Sequence, residues 1–318
     1  MSTGRRHDDE IAQAAWLYYV GNLSQQQVSD RLGISRFKVN RMLTDAREQG
    51  MVRVSVEHRT SATLALADRL ADTFGLGEVQ VAPVPAPTDD GEYERTAVGI
   101  LAANYLARVA SADQRLVIGV GWGRTLSAMA DNLSGVSNRN LTFVSLMGSV
   151  THATRTAPGV VCVRLAAQTG GRAMLLPAPF IADTEAACAA ILDQRLVRET
   201  LNVARHASHA LMSVGECRDG AILFESGIFS PEQMAELRRN NVVGDCCGVF
   251  FTADGAVADT PLNRCTPCVK PAEMGAMDVL VTAAGITKAA ATLAVLRAGF
   301  VNRLMIDEAL ARALLDRI

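Results

Sequence analysis

The sequence predicts an α/β chain in two parts: a small helical unit at the N-terminus and a larger unit built on a parallel sheet. Three observations lead there. The chain has 318 residues, nearly half of them apolar, which is more than one small core needs. The first fifty residues read as helices separated by short glycine turns. Beyond them, short apolar runs alternate with helical stretches, and the runs are continuously apolar, as strands covered on both faces are.

The elements follow in chain order. Asp9 to Val20 is expected as a helix, with Ile11, Ala14, Ala15 and Tyr18 at helical spacing. Gly21 and Asn22 end it. Ser24 is placed to cap a second helix, Gln25 to Leu32, with Gln27 in capping-box position. Gly33-Ile34 forms a tight turn, and Ser35 caps a third helix that runs to about Gln49. The buried stripe of that helix is Val39, Met42, Leu43 and Ala46. Val52, Val54 and Val56 then alternate with Arg53 and Ser55, as a short strand does. Helix, glycine turn, helix and then strand is the pattern of a winged helix-turn-helix. With Val39 inward, Phe37 and Arg41 point outward, flanked by Lys38, Asn40 and Thr44, and Arg36 lies in the first turn.

A change of pattern after His58 divides the chain into domains of 1–58 and 59–318. Leu64–Phe74 reads as an amphipathic helix, and Pro83, Pro85 and Pro87 mark an extended loop. Strands are expected at Val79–Ala82, Leu116–Val120, Leu141–Leu146, Ala173–Leu176, Ala210–Val214, Val249–Thr252, Val279–Thr282 and Phe300–Ile306. Helices are expected at Glu94–Ala110, Thr125–Leu133, Pro158–Gln168, Glu185–Ala204, Pro231–Asn240 and Ile286–Ala298.

Charge and composition narrow the function classes. The net charge is −2, so the chain as a whole is not a basic nucleic-acid binder. From Ser35 to Arg53, however, five cations stand against Asp45 and Glu48, a local footprint that suits phosphates. No apolar run has the length of a membrane span, and Met1 to Glu10 lacks the apolar stretch of a secretory signal, so a cytoplasmic location is expected. Seven cysteines, an odd number spread through a long chain, do not read as a disulfide framework. Of 31 cationic side chains only Lys38, Lys270 and Lys288 are lysines. Each of these positions is a candidate for needing a compact ammonium.

Ligands of parallel sheets bind beyond the C-terminal ends of the strands, which singles out four loops. Gly121-Trp122-Gly123-Arg124-Thr125 joins a strand to a helix. Its glycines allow close backbone approach, the helix start offers free N–H groups, and Arg124 and Thr125 add a charge and a hydroxyl. The same loop also reads as a tight turn. It is not a dinucleotide fingerprint, because Leu126 stands where the last glycine belongs. Leu146-Met147-Gly148-Ser149 is equally well a plain turn. Asp245, after Gly244, is placed to accept hydrogen bonds from sugar hydroxyls or to serve as a turn residue. Lys288, after Gly285-Ile286-Thr287, opens a helix. The helix dipole disfavours a cation there, and an anionic ligand would reverse that penalty; the alternative is a solvated surface lysine. No cofactor or metal is expected. Cys246-Cys247 and Cys265-x-x-Cys268 have the wrong spacing for a zinc ribbon, and His206 with His209 reads as a helix face.

These residues resemble the SorC family of sugar-responsive transcriptional regulators essentially end to end. The segment Ala14-Ala15-Trp16-Leu17-Tyr18-Tyr19 through Leu32-Gly33-Ile34-Ser35 and Arg41-Met42-Leu43 is similar to the family's DNA-binding domain. Gly121 to Thr125, Leu176-Pro177-Ala178-Pro179, Val243-Gly244-Asp245, Ala284 to Lys288 and Asp307-Glu308-Ala309 look like its effector-domain signatures. The resemblance implies a Rossmann-like effector domain related to sugar-phosphate isomerases, without retained catalysis. It implies a sugar, polyol or sugar-phosphate effector, operator DNA as partner, and a homotetramer. It also implies that Gly121 to Thr125, Asp245 and Lys288 contact the ligand. The chain departs from the pattern at Asn263-Arg264-Cys265-Thr266-Pro267-Cys268, where an arginine followed by an Ile-Gly-like segment is expected; Arg264 is the residue that keeps that role.

The resulting expectation is a regulator of a carbohydrate or polyol operon. Arg36, Phe37, Lys38, Asn40 and Arg41 are its groove-contacting residues. Gly121, Trp122, Gly123, Arg124, Thr125, Gly148, Ser149, Asp245 and Lys288 form its ligand site. Two other readings stand beside it. One is an active sugar-phosphate isomerase or deaminase fused to a DNA-binding module, with Asp245 or Glu225 as general base. The other is a helix-turn-helix that contacts only proteins, which the basic outer face of the third helix disfavours.

Overall fold

A computed structural model describes residues 3–49, 51–52, 61–84, 88, 90–111, 114–150, 157–218, 221 and 227–318. The chain separates into two compact units, Met1–His58 and Arg59–Ile318.

In the first unit, α1 (Thr3–Ala15) passes into a π-helical turn (Trp16–Val20), followed by α2 (Gln25–Leu32) and α3 (Arg36–Glu48). The first helix begins earlier than Asp9. Its final turn widens so that the Gly21 amide reaches the Trp16 carbonyl at 2.9 Å. Ser24 and Gln27 make the expected capping box, Gly33 closes α2 with φ +65°, and the Ser35 hydroxyl accepts from the Lys38 amide. Ile11, Ala14, Val28, Val39, Met42, Leu43 and Ala46 are buried together in one core. The strand expected over Val52, Val54 and Val56 falls mostly outside the described residues; Val52 itself is not in a strand.

The second unit runs α4 (Ser61–Phe74), β1 (Glu78–Ala82), α5 (Glu92–Ala110), β2 (Leu116–Val120), α6 (Arg124–Asn132), β3 (Leu141–Ser145), α7 (Pro158–Thr169), β4 (Arg172–Met174), α8 (Glu185–Leu192), α9 (Arg195–Arg205) and β5 (His209–Glu216). It continues with α10 (Pro231–Arg239), β6 (Val242–Cys246), β7 (Val249–Thr252), α11 (Pro261–Cys265), β8 (Asp278–Ala283), α12 (Ala289–Arg297), β9 (Arg303–Asp307) and α13 (Glu308–Leu315). Seven strands form a parallel sheet in the order β1-β9-β8-β5-β2-β3-β4. The hairpin β6–β7 pairs antiparallel with the C-terminal end of β5, Val214 opposite Cys246. Apolar cores cover both faces. One buries Val98, Leu106, Leu126 and Met129 of α5 and α6 with Val161 and Leu165 of α7; the other buries Leu70, Leu201, Val295 and Leu310 of α4, α9, α12 and α13. Among the described residues no helix is long and apolar enough to cross a membrane.

From β2 the chain moves outward through β3 and β4, then returns to place β5 on the other side of β2. The strand order therefore reverses between β2 and β5, which opens a crevice at their C-terminal ends. Three expectations need correction, and one helix is added. Asp245 lies within strand β6, not in a strand-end loop; Gly244 and Asp245 are poor strand formers, which hid the strand. Glu185–Ala204 is two helices, because an extended Gln194 (ψ 134°) reorients α9 so that Val197, Leu201 and Ala204 bury against the sheet. His206 ends α9 and His209 begins β5, so they share no helix face. Helix α13 follows the C-terminal strand, capped by the Asp307 carboxylate, which accepts from the Leu310 amide at 3.0 Å.

Phe143, in strand β3 between β2 and β4, is fully buried. Phe143→Ala is expected to cost about 3–5 kcal/mol of unfolding free energy, measured by denaturant titration of the full chain; a loss below about 1 kcal/mol would contradict the packing described.

Candidate effector cleft and basic helix

The cleft is built on the turn that leaves β2. The Gly121 amide donates to the Leu211 carbonyl of β5 at 2.8 Å, tying the turn to the neighbouring strand. Gly123 has φ +136°, and a Cβ there would lie 2.9 Å from the Ser213 side chain, so only glycine permits this turn beside β5. Helix α6 starts at Arg124. Thr125 is fully buried, and its hydroxyl has no hydrogen-bond partner. Trp122 packs in a tilted pair against Phe180 at 5.3 Å between centroids, and Phe229 and Phe250 continue the aromatic row.

Trp122, Gly123, Arg124, Ser213, Asp245 and Lys288 line one compartment of about 60 Å³. A second compartment of about 280 Å³ shares Arg124, Glu216 and Lys288 and adds Arg95, Thr287 and Arg218 among others. Inner and outer spaces therefore meet at Arg124, Glu216 and Lys288.

Asp245 is the innermost ionisable group. Its Oδ2 accepts from the Gly248 amide at 3.1 Å, while Oδ1 is buried without a partner. Burial pushes its carboxyl up to about 6, against the opposing pull of the Gly248 amide and Lys288. Lys288 is partly buried at the head of α12, and its Nζ donates to the Val214 carbonyl at 2.6 Å. Burial brings its ammonium down to about 8; Glu216 and Asp245 oppose the shift, while Arg124 and Arg95 add to it. Burial, and then Arg95, also lower the Arg124 guanidinium. Arg95, Arg124 and Lys288 thus form a mutually repelling cationic group, and among the described residues none of the three has an ion pair with a carboxylate.

Two residues of the cleft, Arg95 and Glu216, escaped the sequence reading, and a third, Asp307, entered it only as part of a family signature. Arg95 lies in the first turns of α5 and faces the outer compartment. Glu216, at the end of β5, has a side chain only 10% exposed; it accepts from the Thr287 hydroxyl at 3.1 Å and pairs with Arg218. Asp307 is fully buried and accepts from the Gly285 amide at 2.7 Å, which fixes the turn that carries Lys288. Composition signalled none of them. A lone arginine or acid at an element's end is common, and only the fold brings these together.

Gly148 and Ser149 do not line the cleft. The Gly148 amide donates to the Pro267 carbonyl, and a Cβ there would sit 1.9 Å from the Pro179 carbonyl oxygen. Gly148 is required by internal packing against the Pro177–Phe180 loop, and Ser149 is exposed beside it. Arg264 pairs with Glu185 and Asp259 and borders a different cavity. Glu225 lies outside the described residues. All seven cysteines are free thiols, and among the described residues no group of His, Cys, Asp or Glu is arranged to hold a metal.

In the N-terminal unit the outer face of α3 carries Arg36, Phe37, Lys38, Asn40 and Arg41, all exposed, with Phe37 at 80%. Gln25, at the start of α2, donates to Asn40 Oδ1 at 3.3 Å and accepts from Arg36 Nε at 3.4 Å, so it holds two of the five in place. Lys38 pairs with Glu10 at 3.8 Å.

A helix-turn-helix unit followed by a parallel α/β unit with a ligand-sized cleft at its switch point is the architecture of a one-component transcriptional regulator. Residues 58–316 match the family model Sugar-bind, a sugar-binding domain. The chain is 33% identical over 313 residues to the erythritol catabolism regulatory protein EryD of Brucella abortus, covering 98% of each. It is 30% identical over 309 residues to the deoxyribonucleoside regulator of Bacillus subtilis, covering 96% of each. It superposes on the full-length sorbitol operon regulator SorC of Klebsiella pneumoniae with a TM-score of 0.71 at 25% identity, over 97% of this chain and 99% of that one. The chain belongs to the SorC family of sugar-binding transcriptional regulators.

The two shifted groups carry opposite pH signatures. A carboxyl raised to about 6 destabilises the fold while ionised, so its penalty is full above about 6 and fades as pH falls toward its ordinary value. An ammonium lowered to about 8 destabilises while charged, so its penalty is full below about 8 and fades as pH rises. Asp245→Asn is therefore expected to stabilise the unliganded protein by about 2–3 kcal/mol at pH 7.5. That corresponds to a rise in Tm of roughly 5 °C, shrinking as the pH falls through about 6. A Tm that drops at pH 7.5, or a pH-independent difference, would contradict the buried, half-satisfied carboxylate.

Proposed function

We propose that the chain controls a carbohydrate or polyol catabolic operon, with residues 1–58 binding operator DNA and residues 59–318 binding a phosphorylated sugar or polyol. The observation that carries this reading is the convergence of Arg95, Arg124 and Lys288 at the mouth of a cleft whose floor is Asp245. The three cations suit a phosphate, and α6 presents its first amides on the same side. The free Oδ1 of Asp245 suits a hydroxyl of the attached carbon chain. Trp122 offers an apolar wall for the face of that chain. Relatives named for erythritol, sorbitol and deoxyribonucleosides support this chemical class.

Because those relatives are regulators, the cleft is read as a binding site and not a catalytic one. Turnover of a sugar phosphate that disappears in Asp245→Asn would overturn that. Control is proposed to run by population shift in a cytoplasmic homotetramer, a dimer of dimers. Ligand favours one arrangement of subunits and so changes the spacing of paired recognition helices.

The test is a thermal-shift series with sugars and polyols, each with and without a phosphate. A ligand that binds only the folded state raises Tm. Phosphorylated members are expected to raise Tm, and Lys288→Ala to remove most of the rise. Equal stabilisation by the unphosphorylated partners would overturn the phosphate assignment.

On the DNA side, Phe37 is placed for a thymine methyl and Arg41 for guanine or a phosphate. Arg41→Ala is expected to weaken operator binding about tenfold at matched salt; unchanged affinity in a fluorescence anisotropy titration would remove Arg41 from the interface.

A further inference from the structure

Arginines of the α/β unit divide into two groups. Nine pair with carboxylates. Of those without such a pair among the described residues, five gather in only two cavities. Arg95 and Arg124 belong to the effector cleft. Arg115, Arg139 and Arg172 line a separate cavity of about 180 Å³. Others, such as Arg69, Arg239, Arg297 and Arg317, lie outside both cavities.

The second cavity lies at the opposite end of the sheet. Register aligns Val117 of β2, Thr142 of β3 and Arg172 of β4 in one row. Arg115, two residues before Val117, shares its face. Arg139 and Asn140 form the turn that enters β3. Val117, Met174 and Val203 of α9 add apolar lining, and Thr142 contributes a hydroxyl. No carboxylate lines this cavity among the described residues, and none of the three guanidinium groups has an ion pair or hydrogen bond there. Three like charges around one concavity leave it with an uncompensated positive potential. A dianion reverses the sign, and planar guanidinium groups bind phosphate oxygens in bidentate fashion. The apolar lining suits a carbon-bearing anion over a bare inorganic one.

We propose that this pocket is a second binding site, for a small phosphate-bearing metabolite, distinct from the effector cleft. Five-residue β2 separates the two by about 17 Å, with Arg115 before its first residue and Gly121 after its last. Ligands at the two sites would therefore act on opposite ends of the same strand.

Glycerol 3-phosphate, a carbon-bearing phosphate, serves as the probe, in isothermal titration of the full chain at low ionic strength. The background is Arg124→Ala/Lys288→Ala, so the effector cleft is already disabled and its behaviour does not enter the result. One class of site is expected to remain, and adding Arg139→Gln/Arg172→Gln is expected to weaken it at least tenfold. These side chains are exposed, so the fold should survive, as circular dichroism would verify. Three outcomes would overturn the proposal. The first is no binding in the cleft-disabled background. The second is binding that the arginine substitutions leave unchanged. The third is that the substitutions alter only DNA affinity or oligomeric state, which would make the arginines part of a macromolecular interface.

Discussion

A carboxylate buried with one oxygen unsatisfied is the constraint around which the cleft is arranged. Asp245 sits in β6, and its Oδ1 occupies the space that a side chain on Gly215 would need; a Cβ there would lie 2.0 Å away. Strand β5 must therefore carry glycine at that position if the hairpin β6–β7 is to pack against it. The same approach brings the Asp245 carboxyl under Lys288 and beside the β2 turn. A hydrophobic residue in place of Asp245 would pack at lower cost. A protein that keeps an ionisable group in such a position gives up stability, and a hydroxyl-bearing ligand that satisfies Oδ1 restores it.

The machinery around that carboxylate belongs to several distant stretches of chain. Arg95 comes from α5, Arg124 from α6, Glu216 from β5 and Lys288 from the head of α12. Asp307 joins the Gly285 turn to the start of α13 through two amides, so the position of Lys288 depends on the C-terminal strand and helix. Glu216 is the one carboxylate where the two compartments meet. It partly compensates Lys288 and Arg124 while its own oxygens are engaged by Thr287 and Arg218. An anion that binds the three cations competes with Glu216 for them. On the proposed reading, a bound anion would bear on the end of β5 and the 286–288 turn together, and both are built into the sheet that organises the unit.

Much of the architecture was legible because it rests on periodicity and capping. The second and third helices of the N-terminal unit begin at Ser24 and Ser35, as their side-chain caps require, and apolar runs at β2, β3, β7 and β8 mark strands within a residue or two. The three lysines have different surroundings. Lys288 enters the cleft, Lys270 donates to the Asn263 and Thr266 carbonyls at the end of α11, and Lys38 pairs with Glu10. What stayed hidden depends on tertiary pairing. Strand β6 was masked by Gly244 and Asp245, whose local preference is for a turn. Gly148 looked like a ligand-loop glycine, yet it serves the close approach of Pro179. Arg95 and Glu216 carry no local signal, because their importance comes from meeting residues thirty to more than a hundred positions away in the chain.

Coupling between the cleft and DNA is the central claim, and it is most directly measured by anisotropy titration of the full chain on DNA upstream of the operon it controls. Titrations would run with and without the phosphorylated polyol that best stabilises the protein, in the native sequence and in Lys288→Ala. Ligand should change operator affinity at least tenfold in the native protein and leave Lys288→Ala almost unmoved, with the two proteins binding DNA alike in its absence. A ligand effect of equal size in both, or none in the native protein, would contradict control of DNA binding through this cleft.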